Sequence, residues 1–379
     1  MAHDASTNAA PNAPSKAPPK DKDAIGPTAA APADWLARQA PEAILLPELP
    51  IVDPHHHLWH RGGHRYLLDE LLADTGSGHR VEATVFVECM AFYRATGPAE
   101  LRPVGETEFV NGVAAMADSA EALRAAQKAD PAGGRGPMRA CAGIVGFADL
   151  MRGAAVRAVL EAHIAAGGGR FRGIRHAGAW DASPKIRNSH TEPCEHLYAQ
   201  APFRAGFAQL APLGLSFEAW QFHPQLPDVL DLARAFPDTT IILNHVGGPL
   251  GVGPYAGRHD EVFATWRPMV QALAGCPNVV VKLGGLGMRI SPFDFHDPRA
   301  WPVPPSSVDL AAAWRPWIET CIEAFGPERC MFESNFPVDQ ASTGYAVLWN
   351  AFKRLAAGAS DSALAALFSG TARRVYRLD

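Results

Sequence analysis

The residues best suited to chemistry begin at Ile51-Val52-Asp53-Pro54-His55-His56-His57-Leu58-Trp59, where an apolar run ends in three histidines. If the run is a strand, side chains alternate between its faces, so His55 and His57 share one face and His56 takes the other. Two imidazoles together at a strand end can grip one divalent cation or one anionic substrate. Other apolar runs also end in polar residues. Glu88 closes the second, Arg175 and His176 the fourth, and His223 follows the fifth. Asn244 and His245 end the sixth, Lys282 lies in the seventh, and Glu333 and Asn335 end the eighth, where alternation gives them one face. These groups suit attack of water on an acyl carbon. Imidazoles and a carboxylate can hold a metal that lowers the pKa of water and polarises a carbonyl. Without a metal, histidines can polarise the carbonyl while a carboxylate takes the proton from water. The residues leave both routes open. An arginine beside such a site, here Arg175, is the natural fork for a substrate carboxylate. Plainer roles stand beside these: Glu88 as a buried acid paired with an arginine, Lys282 in a salt bridge, His176 and His223 as loop caps. The remaining histidines, His190 among them, have no strand-end placement and read as background.

The elements that must position these groups follow from periodicity. Apolar, β-branched runs at 51–57, 81–89, 138–147, 171–176, 215–222, 239–244, 278–283 and 329–333 predict eight strands. Helical spacing predicts helices over 107–128, 153–166, 195–211, 226–236, 259–274, 310–325, 345–357 and 361–368. The polar, glycine-containing stretch 61–79 reads as a long loop. Eight strands alternating with helices, and no Gly-x-Gly-x-x-Gly after any of them, predict an α/β chain folded as a (β/α)8 TIM barrel. Barrels of this kind place their chemistry at the carboxyl ends of the strands, where the polar residues above fall.

Composition narrows the partners. The chain has 379 residues, 47% of them hydrophobic, and a net charge of −5 with no basic block, so a nucleic-acid surface is not expected. No run approaches the length of a membrane span, and the start has no secretory apolar stretch. Six scattered cysteines without a Cys-x-x-Cys read as reduced thiols in a cytoplasmic protein. The Ala/Pro-rich residues 1–44 are expected to form a disordered tail before a catalytic barrel over 45–379. A small-molecule substrate is the expected partner, and assembly with copies of itself stays open.

Five stretches together resemble the amidohydrolase superfamily, in the amidohydrolase-related branch that includes 2-pyrone-4,6-dicarboxylate lactonase, L-fuconolactonase and 4-sulfomuconolactonase. They are the strand-one segment above, Phe171-Arg172-Gly173-Ile174-Arg175-His176, Leu243-Asn244-His245-Val246-Gly247-Gly248-Pro249, 331–339 and 370–376. The resemblance implies a distorted barrel and hydrolysis of a lactone or similar cyclic ester. It points to His55, His57 and His245 as site residues and to Arg175 as a substrate contact; from their strand-end placement His176, His223 and Glu88 are also expected to bind substrate, and Glu333, His245 and Asn335 to be the catalytic groups. In the superfamily pattern an aspartate ends strand eight, but here Asn335 aligns with it, and Asn is a poor base and a weak cation anchor. Glu333, with Asp339 as the alternative, is expected to take that role. The implied metal set is His55, His57 and Glu333 around one divalent ion, zinc or manganese, with a metal-free route also open. A metal-dependent decarboxylase of an aromatic acid, or a barrel that has lost catalysis, are the competing readings.

Overall fold

Runs of valine, isoleucine and leucine bounded by polar turns form eight parallel strands: β1 Pro50–His56, β2 Arg80–Val87, β3 Arg139–Gly146, β4 Phe171–Arg175, β5 Ser216–Ala219, β6 Ile241–Leu243, β7 Val279–Leu283 and β8 Cys330–Phe332. They are seen in a computed structural model that describes residues 33–119, 124–125, 128 and 137–378. The strands pair in chain order. The ends of β1 and β8 then meet: the His57 amide donates to the Phe336 carbonyl at 2.8 Å, and the Asn335 amide to the His55 carbonyl at 2.9 Å. The sheet thereby curls into the expected barrel. Register shifts between β1 and β2, β2 and β3, and β3 and β4 distort one side of it.

β7 shows how alternation sorts the chain. Val279, Val281 and Leu283 join the core between strands and helices, while Val280 joins an inner cluster with Val52, Val85, Ala142, Ile242 and Met331. Tyr376 and Leu378, near the end of the chain, complete that inner cluster and plug the barrel. Burial of both strand faces explains the near-continuous apolar runs. The outer helices bury one stripe each: His259–Ala274 buries Val262, Trp266, Val270 and Leu273. Ser307–Phe325 starts at Ser306, whose Oγ accepts from the Asp309 amide while the Asp309 carboxylate accepts from the Ser306 amide.

Three expected segments differ. The stretch 61–79 is not a plain loop: Trp59–Arg61 and His64–Tyr66 form a two-stranded antiparallel ribbon, and Leu68–Thr75 is a helix. Glu70 closes the helix start by accepting from the Leu67 amide at 2.9 Å, and Leu71 is buried, so a single apolar anchor suffices for two turns. The helix expected over 107–128 runs Val104–Ala117, and much of its expected continuation lies outside the described residues. Of the expected tail, residues 1–32 also lie outside them. Residues 35–44 lie against the barrel: buried Trp35 donates to the Trp301 carbonyl at 2.7 Å, Gln39 to the Pro305 carbonyl at 2.8 Å, and Glu42 accepts from the Ser307 amide at 2.8 Å. One tryptophan among alanines and prolines is enough to anchor a segment that composition alone leaves free.

Candidate active site

The strand ends converge on Glu333. β8 stops at Phe332, and the next residue turns its carboxylate into the barrel mouth. Oε2 lies 2.6 Å from His55 Nδ1, and Oε1 lies 2.7 Å from His245 Nδ1 and accepts the His245 amide at 3.1 Å. All three residues are buried. A carboxylate this close favours the Nδ1–H tautomer of His55, although Lys282 Nζ, itself a donor, lies 3.3 Å from the same nitrogen. The His55 Nε2 is then free to accept from Arg175 NH1 at 3.3 Å. Burial, then the Lys282 charge 3.3 Å from Nδ1, holds the His55 pKa well below the usual histidine value, so this imidazole is neutral. Among the described residues, His55, His245 and Glu333 form the one group of histidines, cysteines and acids whose candidate ligand atoms all lie within 4.8 Å of one another. Two imidazole nitrogens and a carboxylate oxygen are the donor chemistry of a three-ligand catalytic zinc site, so these residues fit a divalent cation.

The backbone is bent to make this arrangement. His245 and Val246 have φ of +52° and +47°, which is costly for a β-branched residue. Gly285 is needed beside them: a Cβ there would lie 2.5 Å from the His245 ring.

His57 stands next to the trio. Its ring meets His55 edge-on at 5.0 Å and stacks on Trp59, and its Nδ1 lies 2.8 Å from the Val87 carbonyl. The structure therefore gathers His245, rather than the expected His57, into the close ligand group. His56 faces away, its Nε2 2.9 Å from Thr84 Oγ1.

Other expected residues have different duties. Arg175 lines the cavity, but its fork is engaged by Glu88: Nε donates to Glu88 Oε1 at 2.6 Å and NH2 to the Glu88 carbonyl at 2.5 Å. Glu88 is thus the buried acid paired with an arginine. Burial alone would raise its pKa, but the charges of His190 and Arg175 and their hydrogen bonds outweigh that and hold it low. His176 and His223 do not line the cavity. Each caps a loop, accepting from the Leu150 amide at 3.2 Å and the Leu250 amide at 3.3 Å respectively. Asn335 and Glu333 do not share a face by strand alternation, because the chain has left the sheet and Asn335 has φ of +53°. Asn335 lines the cavity and donates to Asp339 Oδ1 at 3.2 Å. Burial, with the Glu333 charge nearby, raises the Asp339 pKa well above the carboxylate range. That shift favours the protonated form of Asp339.

A cavity opens beside His245. Trp59, Trp220 and Phe222 wall it, and His57, His245 and Asn335 form its polar floor. Several contributors had no strand-end signal. His190, from the loop after β4, lies 3.0 Å from Glu88 Oε2. Glu106 holds the turn after β2 by accepting from the Cys89 and Ala91 amides at 3.0 and 2.8 Å, and burial lifts its pKa to about 8. Below the trio, Lys282 Nζ lies 2.9 Å from Glu218 Oε2, and Glu218 also accepts from Tyr376 and Asn244.

Residues 52–378 match the family described as Amidohydrolase. The chain is 32% identical over 362 residues to the uncharacterized protein y4mH of Sinorhizobium fredii, covering 88% of this chain and 100% of that one. It is 29% identical over 242 residues to an L-fucono-1,5-lactonase of Burkholderia multivorans, covering 62% of this chain and 72% of the lactonase. Among solved structures, a Burkholderia multivorans amidohydrolase with bound HEPES shares 25% identity at a TM-score of 0.63, covering 87% of this chain and 99% of that one. Barrel, site and match over nearly the whole length agree: the chain belongs to the amidohydrolase family.

Proposed function

We propose that the chain is a hydrolase that opens a lactone, or a similar cyclic ester, of a carboxylate-bearing small molecule. The observation that carries this reading is His245 on the floor of an aromatic-walled cavity, backed by the buried Glu333 and His55. Glu333 fixes the Nδ1–H tautomer of His245, which leaves Nε2 as the nitrogen able to take a proton from water. His55, held neutral beside it, keeps Glu333 oriented from the other side. Trp59 and Trp220 flank the cavity and suit the flat face of a ring. His55, His245 and Glu333 would hold a divalent ion, with His57 adjacent. When bound, such an ion lowers the pKa of water and polarises a carbonyl. The likeness to L-fucono-1,5-lactonase supports a cyclic ester as the substrate class. The free cysteines suit the reducing conditions of the cytoplasm, where we place the reaction.

The test is elemental analysis of the purified protein, coupled to a panel of sugar-acid and pyrone-carboxylate lactones. The expected product is the ring-opened acid, with water gained. No turnover by metal-loaded protein, or release of carbon dioxide in place of ring opening, overturns the reading.

A further inference from the structure

The charges around the cavity are one-sided. Its lining includes Arg61, Arg175 and Arg187 with His57, His190 and His245, and no described aspartate or glutamate. Arg175 is spoken for by Glu88. The other two guanidinium groups are not. Arg61 donates from NH1 to the Cys89 carbonyl at 2.8 Å and lies 4.4 Å over the Trp59 ring, contacts that fix its plane and leave its charge uncancelled. Arg187 is exposed, and no described carboxylate pairs with it. Two unpaired guanidinium groups lining an acid-free cavity hold a positive potential there, and a guanidinium matches a carboxylate with two parallel hydrogen bonds.

We propose that Arg61 and Arg187, not Arg175, form the subsite that recognises an anionic group on the substrate, so that the cavity selects carboxylate-bearing rings over neutral ones of the same shape. Arg61 comes from the ribbon after β1 and Arg187 from the loop after β4. Neither belongs to the floor that would carry out the reaction. Arg175 becomes a positioning residue that ties β4 to Glu88 and meets His55. The inference rests on the hydrolase reading only for the bond that reacts, not for the charge selected.

The test is therefore binding. Benzoate and its uncharged isostere benzamide are titrated into full-length protein and followed by quenching of tryptophan fluorescence, to which Trp59 contributes. Wild type is expected to bind benzoate about tenfold or more tighter than benzamide, the size of a charge-assisted hydrogen bond. Arg187→Gln and Arg61→Gln should each shrink that ratio, and the double variant should bring it near one. Arg187→Lys should keep part of it, since the charge remains and the fork is lost. Both side chains are exposed, and retained benzamide affinity reports an intact cavity. A ratio near one in wild type, or an unchanged ratio in the double variant, overturns the proposal. A benzoate preference without turnover of any lactone sinks the hydrolase reading and leaves the anion subsite standing. Turnover of neutral lactones without that preference does the reverse.

Discussion

Replacing Glu333 by Gln keeps the volume and removes the charge that organises the candidate site. Three nitrogens now converge on the carboxylate: His55 Nδ1 at 2.6 Å, His245 Nδ1 at 2.7 Å and the His245 amide at 3.1 Å. A glutamine offers one acceptor oxygen and one NH2 group, and the NH2 must face one of the imidazoles. That ring has to surrender its Nδ1 proton and move it to Nε2, or leave a buried donor unpaired at about 1–3 kcal/mol. If the oxygen stays with His245, whose amide it also accepts, His55 is the ring that changes tautomer. Its Nε2–H would then point at Arg175 NH1, 3.3 Å away, donor against donor. Either outcome disturbs a proton-handling pair, and general acid–base catalysis is worth about 10²–10⁴-fold. The expected loss in kcat/KM is therefore on the order of 10²–10⁴, or about 3–5 kcal/mol of barrier. Ring-opening rates on an active lactone, with circular dichroism for the fold and elemental analysis for metal, make the assay. Nitrogen NMR of labelled histidines adds a readout that a merely structural glutamate would not move, namely a changed tautomer at His55 or His245. A folded Glu333→Gln protein within threefold of wild-type turnover, with both tautomers unchanged, would refute the reasoning.

Lys282→Met should lower stability, because it strands Glu218 in the barrel interior. Breaking a buried pair costs about 3–5 kcal/mol, and at about 1.3 °C per kcal/mol for a chain of this size the melting temperature should fall by roughly 4–6 °C. Calorimetry decides, and a drop under 2 °C would mean that Tyr376 and Asn244 alone satisfy Glu218. Trp35→Ala should cost about 3 kcal/mol through lost packing, read as a shifted urea midpoint; no shift would mean that the segment does not dock in solution. His163 is held at about 4 by burial, 2.8 Å from Thr107 Oγ1 and 2.9 Å from the Phe147 carbonyl. Its folded pKa is below its unfolded value near 6.5, so the native state forgoes a proton that the unfolded chain binds, and stability is lost as pH falls from 6.5 towards 4. His163→Gln removes that penalty. Its destabilisation at pH 7.5 should shrink by roughly 2–3 kcal/mol at pH 4.5, and an equal cost at both pH values would contradict the burial argument.

The barrel was legible because each strand is buried on two faces, which writes it as an unbroken apolar run such as Val279–Leu283. The helices over 226–235 and 259–274 were legible through one-sided burial. Within the site, the inward turn of Glu333 and the proximity of His55 to His57 follow from residue type and strand alternation. Alternation also carries a lesson that applies to His176: if Arg175 points into the barrel, its neighbour points out, and His176 indeed packs between Phe147 and Phe203. The pairing of Arg175 with Glu88 joins strands that are not neighbours in the sheet, and no local pattern announces it. His190 and Glu106 were hidden for a similar reason, since a loop and a helix bring them in. The positive φ at His245 and Val246 runs against the preference of both residue types, so only the tertiary structure could reveal it.

The seam between β1 and β8 has a consequence for how the molecule assembles. Apart from Asp53, which accepts its amide, what disciplines His55 comes from far along the chain: Arg175 is 120 residues away, Lys282 is 227, and the Ser334 hydroxyl on its carbonyl is 279. Tyr345 reaches back 292 residues to Asp53, directly beneath the histidines. Contacts of such long sequence separation form late, because the entropy of closing large loops precedes any reward. Local helices can regain their signal well before this seam closes. Recovery of function in refolding should therefore trail recovery of helical dichroism, and the lag between the two is a direct clock for the closing of the ring.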